Sequence, residues 1–476
     1  MKYDYDVIVL GGGAAGLVAA SASAFLGAKT ALIEKNKLGG DCTWFGCIPS
    51  KTLLKSAQVY SLLKHLEEFG ISVLKPGEYD TSRVMSHVRD IIKKISARHP
   101  PEVFERRGIK VVFGDSKFID NKTIGLNNNR ITSKRFIICT GSRPLVPPAE
   151  GLKDINYLTN ETVFDLEALP KSMAILGAGP IGIELAQAFS RLGAEVSIIE
   201  MAERILFRED EEVAKVLTDR LIEEGIKIYT GKKAVKFSKS SELTAITVED
   251  KNKNQSVIKA EKIIIAVGRQ ANVQGLGLEK AGVKYSNKGI EVDAALRTSA
   301  NNIYACGDVA GPYQFSHMAE YQAVISAGNA LLPFKRKVNY STVPWCTFTD
   351  PEVARVGLTE EEAKAKYKNI IVYRSLYSGN DRAVTDIEEK GLAKLITHKK
   401  GYILGAHIAG VNAGEIIHEY VLAKSSGLKI GNLSSAIHIY PTLAQVVKRS
   451  ADQYYVDMLN SAWLKVFFKL MLKFLR

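Results

Sequence analysis

The chain has 476 residues, a formal net charge of +13, 46% hydrophobic and 24% charged residues, and 5 cysteines. That length suits about three domains with substantial cores; the odd cysteine count argues against a secreted disulfide framework, and no run of about 18 apolar residues is available to span a bilayer. The apolar start Val7–Leu10 follows Asp4 and Asp6 and runs into glycines, unlike a signal peptide; the positive charge describes a basic solvated surface attractive to anionic partners, with no nucleic-acid motif beside it.

Residues 5–34 read as a βαβ unit: the strand YDVIVL, the turn GGGAAG with Gly11, Gly13 and Gly16, an alanine-rich helix, and the strand TALIE ending on Glu34. Glycines there let the backbone approach a pyrophosphate whose charge sits on the helix N-terminus, and the terminal acid accepts hydrogen bonds from ribose hydroxyls. Next comes GGDCTWFGCIPSK, Gly39–Lys51, with Cys42 and Cys47. On one helix the two would lie about one and a half turns apart. A disulfide, whose Cα atoms approach within roughly 7 Å, therefore needs a distorted first turn. Distortion eases reduction, and a helix N-terminus stabilises the resulting thiolate. Spacing alone fits ordinary buried cysteines; the dinucleotide turns on either side in sequence favour a redox-active pair.

Residues 51–70 and 81–107 have helical spacing and many charges, which predicts an antiparallel helix pair packed on the first domain or on a dimer mate. Short alternating strands follow and end at TGSRP, Thr140–Pro144. The βαβ unit then recurs from Met173, with Gly177, Gly179, Gly182 and Glu200 repeating Gly11, Gly13, Gly16 and Glu34 at a constant offset of 166. Glycines and acid repeating together predict two dinucleotide sites. IIIAVGRQAN (Gly268, Arg269) closes this unit, TSANNIYACGDVAG (Gly307, Asp308) follows, and QFSHMAEYQA carries His317. Cys139, Cys306 and Cys346 read as small interior residues. At the C-terminus, WLKVFFKLMLKFLR places Lys465, Lys469, Lys473 and Arg476 within about 80° of a helical wheel that is otherwise apolar. That is a basic amphipathic helix, suited either to an anionic membrane surface or to docking on a dimer.

The run Cys42–Lys51 resembles the redox motif C-x-x-x-x-C-[IV]-P-S-K of the class I flavoprotein disulfide reductases, the pyridine nucleotide-disulfide oxidoreductases. Lipoamide dehydrogenase, glutathione reductase and mercuric reductase belong there. TGSRP, AVGRQAN, ACGDV, GPIGIE and VPWCTFTDPEVARVG extend the resemblance over most of the chain. It implies an α/β fold with two Rossmann-like domains and a C-terminal α+β dimerisation domain. The expected division is 1–150 and 271–340 for FAD, 151–270 for NAD(P), 341–455 for dimerisation and 456–476 for the basic helix. FAD is implied at the first unit, with Gly40, Thr140, Gly141, Gly307 and Asp308 beside it, and NAD(P)H at the second. Glu200 accepts from a free 2′-hydroxyl and repels a 2′-phosphate, which favours NADH; Arg204 and Arg208 leave room for NADPH.

The resemblance also implies a homodimer without a resident metal, in which Cys47 faces the flavin, Cys42 attacks substrate, and Lys51, paired with Glu184, stabilises reduced flavin. Trp44 and Phe45 are bulkier than the residues many members carry there. A larger departure is HIYPTLAQ, where Tyr440 and Gln445 replace the histidine and glutamate that move the thiol proton across the dimer in lipoamide dehydrogenase and glutathione reductase; His438 lies two residues earlier. A phenol with pKa about 10 is a poor base at neutral pH, so turnover of glutathione disulfide or lipoamide is expected to be low. Mercuric reductases also carry tyrosine here, together with a C-terminal cysteine pair, and no cysteine follows Cys346. The expected activity is NADH-dependent reduction of a disulfide or other thiol-reactive acceptor. Its rivals are mercuric-ion or quinone reduction, dihydrolipoyl dehydrogenase activity and a non-catalytic flavin- and NAD-binding sensor. The expected location is the cytoplasm, with possible placement of the tail on a membrane's inner face.

Overall fold

The uninterrupted apolar run Val7–Leu10 is wholly buried at the centre of a parallel sheet, as a strand covered on both faces must be. The computed structural model describes residues 2–72, 80–460 and 462–475. The first unit contains β1 (Tyr5–Leu10), α1 (Ala14–Phe25), β2 (Thr30–Glu34), α2 (Gly40–Trp44), α3 (Cys47–Lys64), α4 (Thr81–Ser96), α5 (Pro101–Glu105), β3 (Ile109–Phe113), β4 (Ser116–Phe118), β5 (Thr123–Leu126) and β6 (Asn129–Ile138). Strand order is β3-β2-β1-β6, all parallel, with β5 and β4 extending the first half of β6 antiparallel.

After β7 (Ser142–Pro144), the second unit runs β8 (Ser172–Leu176), α6 (Pro180–Arg191), β9 (Glu195–Ile199), α7 (Glu211–Glu223), β10 (Lys227–Tyr229), β11 (Lys233–Ser240), β12 (Leu243–Glu249), β13 (Gln255–Ala260) and β14 (Lys262–Ile265). Its parallel order β10-β9-β8-β14 repeats the first, and β11-β12-β13 form an antiparallel meander. β15 (Arg269–Ala271) then pairs with β7, so the two crossings between units form one ribbon. Past the small hairpin β16 (Tyr285–Ser286) and β17 (Gly289–Ile290), β18 (Ile303–Ala305) returns to the first sheet alongside β6, and α8 (Ser316–Leu331) packs on α1.

The C-terminal domain comprises β19 (Pro344–Thr347), β20 (Glu352–Gly357), α9 (Glu360–Lys366), β21 (Ile370–Leu376), α10 (Asp381–Thr385), β22 (Leu392–His398), β23 (Ile403–Gly410), α11 (Ala413–Ser425), α12 (Ile430–Ser435) and α13 (Gln445–Asn460). Its antiparallel order is β19-β20-β23-β22-β21. β23 is buried along its whole length because α11 covers one face and α7 of the second unit reaches the other. Lys394 of β22 is 2% exposed, and its ammonium is shared among Asp210, Glu212 and Glu360 at the starts of α7 and α9. A cation so buried is tolerable only with such partners. The last helix is α14 (Ala462–Phe474).

The helix pair α3–α4 forms as its spacing predicts, and besides the first unit it packs on the second. Leu53 and Ala57 of α3 and Met85, Val88 and Ile92 of α4 share a core with Ile183, Leu185 and Phe189 of α6. The pair therefore bridges from the first unit onto the second. The apolar stripe of α6 supplies the complementary surface, which spacing within residues 51–107 does not reveal.

Candidate active site

The two dinucleotide turns are built alike. Gly11 and Gly177 both have φ +102, and a Cβ on either would collide with the carbonyl of Cys139 or of Ala266 at the end of the neighbouring strand. Gly16 and Gly182 bring their helices against the carbonyls of Gly11 and Gly177, again too close for a side chain. Gly13 and Gly179 precede α1 and α6, neither of which has an acid in its first turn, so both positive helix ends are left for an anion. Each terminal acid is pinned by two backbone donors. Glu34 accepts from Gly12 N at 2.6 Å and Asn36 N at 2.7 Å. Glu200 accepts from Ala178 N at 2.7 Å and Ala202 N at 2.8 Å. Each oxygen keeps a lone pair for a ribose hydroxyl.

Both turns open into one continuous cleft of about 3780 Å³, which Cys42, Cys47, Lys51 and Glu184 also line. Gly40 stands against Gly13, where a Cβ would come within 2.6 Å of the Gly13 Cα, so the cysteine segment is pressed onto the first cradle. Thr140 and Asn272 exchange hydrogen bonds at 2.9 and 3.0 Å, Gly141 turns at φ +68, and Gly268 at φ +134 leaves open space. Gly307, at φ +76, donates its N–H to Gln322 at 2.7 Å. Asp308 accepts from Ser142 Oγ at 2.6 Å, and burial raises its pKa despite that bond. Arg269 ties these pieces together. Its guanidinium donates to Ser142 Oγ at 2.7 Å and Ser142 O at 3.0 Å, and lies 3.3 Å from Asp41 and 3.8 Å from Asp308. The glycine floors, two free helix ends and ribose-directed acids fit two dinucleotides.

The cysteines lie on two helices rather than on one strained turn. Cys42 is inside α2, the chain breaks at Phe45–Gly46, and Cys47 opens the 18-residue α3. Trp44, its indole N–H donating to Leu38 O at 2.8 Å, lines the cleft together with Phe45. Both thiols are free. The hydrogen bond from Cys42 holds the Cys47 pKa down to about 6, against the upward push of burial and with help from the Lys51 ammonium. The same bond, with burial, pushes Cys42 up. Cys47 is thus the thiolate and Cys42 the proton holder. Cys47 Sγ also lies 3.7 Å from Ser316 Oγ at the start of α8.

Lys51 Nζ donates to Glu184 Oε2 at 2.7 Å, and Glu184, itself buried, accepts the Phe348 N–H at 2.9 Å on its other oxygen. One turn of α3 is thereby locked to the second unit and to β19. Arg204, near the second acid, donates to the carbonyls of Leu206, Phe207 and Glu209 at 2.9, 2.9 and 2.8 Å. Its guanidinium holds a loop together and is not free for a phosphate.

Of the other sequence candidates, His317 and Cys346 line the cleft, whereas Tyr440 and His438 lie away from it within this chain. Tyr440 is exposed on the single chain and outside that chain's own cleft; its hydroxyl donates to Asp381 at 3.0 Å, and that bond raises its pKa. His438 Nε2 lies 3.0 Å from Glu419 and Nδ1 3.0 Å from Ala436 O. Both ring nitrogens face acceptors, so neither is open to a substrate proton. His317 Nε2 is 2.9 Å from Pro344 O, its ring stacks on Phe315, and burial lowers its pKa. Cys139 and Cys306 are interior as expected, their sulfurs 3.4 Å apart at the ends of β6 and β18. Cys346 departs from that expectation: it is half-buried and lines the cleft. Sequence reading missed the three-way role of Arg269 and the Ser142–Asp308 bond; the VGR run was the only signal for the former.

Comparison with known proteins places this geometry. Residues 5–323 match the family described as "Pyridine nucleotide-disulphide oxidoreductase", and residues 343–451 match its dimerisation domain. A mercuric reductase of Staphylococcus aureus is 35% identical over 450 residues, covering 94% of this chain and 82% of that protein. A dihydrolipoyl dehydrogenase of Bacillus subtilis (strain 168) is 33% identical over 465 residues, covering 95% and 98%. The solved HOCl-induced flavoprotein disulfide reductase RclA from Escherichia coli superposes with a TM-score of 0.84 at 27% identity, covering 94% of this chain and 99% of that one.

Proposed function

The chain belongs to the pyridine nucleotide-disulphide oxidoreductases, FAD-dependent enzymes that use NAD(P)H on sulfur groups, and from that premise we propose that it delivers the reducing equivalents of NADH through Cys47 and Cys42 to a thiol-reactive acceptor. The observation that carries this reading is the Cys47 thiolate beside Lys51, opening into the cleft shared by both cradles. Bound FAD would supply hydride acceptance from NADH and return of an electron pair to sulfur. The pinned Glu34 and Glu200 would orient the two ribose groups. Glu200 would repel a 2′-phosphate and Arg204 is committed to its loop, which supports NADH over NADPH; Arg208, stacked over Phe207 in the cleft lining, is the one guanidinium of the pair left to favour NADPH.

The dithiol half-reaction balances with the protons this pair can carry. As the Cys42 sulfur attacks an acceptor disulfide, its proton passes to Cys47, and the acceptor sulfur–sulfur bond breaks. The released thiolate takes that proton from Cys47. Cys47 then attacks Cys42, forming the internal disulfide and expelling the second thiolate, which is protonated from solvent. Cys47 therefore serves as the base for Cys42. Tyr440, hydrogen-bonded to Asp381, and His438, with both nitrogens engaged, are poor substitutes for a histidine shuttle. Low turnover of glutathione disulfide and lipoamide follows.

Members of the family form homodimers through the domain matched at 343–451. Among the described residues no helix is long and apolar enough to cross a membrane. We place the dimer in the cytoplasm, touching a membrane through residues 460–476.

The test is a multiple-turnover assay with NADH against glutathione disulfide, lipoamide, small aromatic disulfides, quinones and Hg(II). Sustained turnover of an aromatic disulfide or Hg(II), abolished in Cys42→Ser, is expected. Turnover confined to quinones and undiminished in Cys42→Ser would overturn the reading.

A further inference from the structure

The match to the dimerisation domain ends at residue 451, yet α14 follows as a helix of 13 residues with none of its described side chains buried. Trp463 is 69%, Phe474 90% and Leu475 74% exposed. Lys465, Lys469 and Lys473 recur every fourth residue, and no acid occurs after Asp457. These ammonium groups line one side of the helix without a compensating carboxylate on it. Like charges four apart destabilise a helix, so an anionic surface is what would relieve them.

The apolar remainder is too wide for one helical partner. From Val466 round through Trp463, Phe467 and Phe468 to Leu472 it spreads over about 240° of the wheel, whereas a helix–helix seam covers roughly 100°. A second copy of α14 would leave more than half of that surface in water, and the lysines on the opposite arc would gain no anionic partner from it. The helix is also short: at about 1.5 Å per residue it reaches ~20 Å, against a hydrocarbon core of ~30 Å. It can lie in the interface plane and cannot span.

We propose that α14 binds the surface of an anionic bilayer, its aromatic and aliphatic arc in the headgroup–acyl boundary and Lys465, Lys469 and Lys473 on lipid phosphates. This rests on reading residues 460–476 as a membrane contact and adds the lipid class and the orientation. Arg476, which the sequence puts on the same arc, lies outside the described residues.

The experiment is sedimentation of the full-length holoenzyme with vesicles of pure phosphatidylcholine or of phosphatidylcholine with 30 mol% phosphatidylglycerol. It is repeated for the chain ending at Asn460 and for Lys465→Glu/Lys469→Glu/Lys473→Glu, with the oligomeric mass of each measured. Binding to the anionic vesicles at least about tenfold tighter than to neutral ones, lost in both variants with dimer mass and NADH-dependent flavin reduction kept, is the expected result. Equal binding to both vesicles, lost on truncation, would overturn the anionic preference while leaving the membrane contact. Equal binding with and without the helix would overturn both, as would a truncated chain that loses its dimer mass while the intact chain binds no vesicle; in that case a second copy covers α14.

Discussion

The two βαβ units are near copies in backbone and differ in what each does next. β3-β2-β1-β6 and β10-β9-β8-β14 have the same parallel order, Gly11 and Gly177 share a φ of +102, and each terminal acid is held by two backbone N–H groups. Past Glu34 the chain folds back as α2 and α3, pressing Gly40 onto Gly13 and delivering Cys47 to the cleft. Past Glu200 it forms a loop closed by Arg204 on its own carbonyls. The cradle is therefore generic, and the segment after the second strand decides whether a unit carries sulfur chemistry or only selects a nucleotide.

The widest gap between the units should appear when sulfur is removed from the first. Cys42→Ser or Cys47→Ser is expected to lower steady-state turnover of a disulfide acceptor by about 10³-fold or more, while stopped-flow reduction of the bound flavin by NADH persists. Comparable turnover in both variants would place the reaction outside the dithiol.

A smaller effect, confined to the second unit, is expected from Glu200→Ser/Met201→Arg. Removing the carboxylate and supplying a guanidinium not enclosed by loop carbonyls should raise the NADPH-to-NADH ratio of kcat/KM by about tenfold or more. An unchanged ratio would show that nucleotide choice lies elsewhere in the cleft.

The mildest perturbation acts where the units meet. Cys47 ionises at about 6, so its alkylation rate should rise with pH through that value. A nearby cation favours the thiolate, hence Lys51→Met should move the midpoint upward by about one pH unit and leave less thiolate at neutral pH. A midpoint that stays near 6 would leave the hydrogen bonds from Cys42 and Ser316 as the cause.

Much of this was legible because its signals are local. A glycine that must turn at positive φ, an acid at a strand end and cysteines beside Pro49-Ser50-Lys51 are visible within a few residues of one another. The family resemblance added the Lys51–Glu184 pair, which the structure brings to 2.7 Å. Contacts between distant segments were not legible. Nothing in residues 51–107 announces that their apolar stripe meets α6, nothing around Arg204 that it would spend its donors on carbonyls, and nothing in HIYPT that His438 would find Glu419.

By itself the amino-acid order determined two nucleotide cradles, a cysteine pair leading into a helix, a dimerisation domain and a basic amphipathic end, because glycine sterics, capping and periodicity act over a few residues. Tertiary structure alone decided that the cradles share one cleft, that Cys47 rather than Cys42 carries the charge, and that Arg269 ties Asp41, Ser142 and Asp308 together. Those outcomes depend on distances and burial in the folded chain, whether the partners are five residues apart, as Cys42 and Cys47 are, or 127, as Ser142 and Arg269 are, and electrostatic and hydrogen-bond strength follows that geometry rather than spacing along the chain.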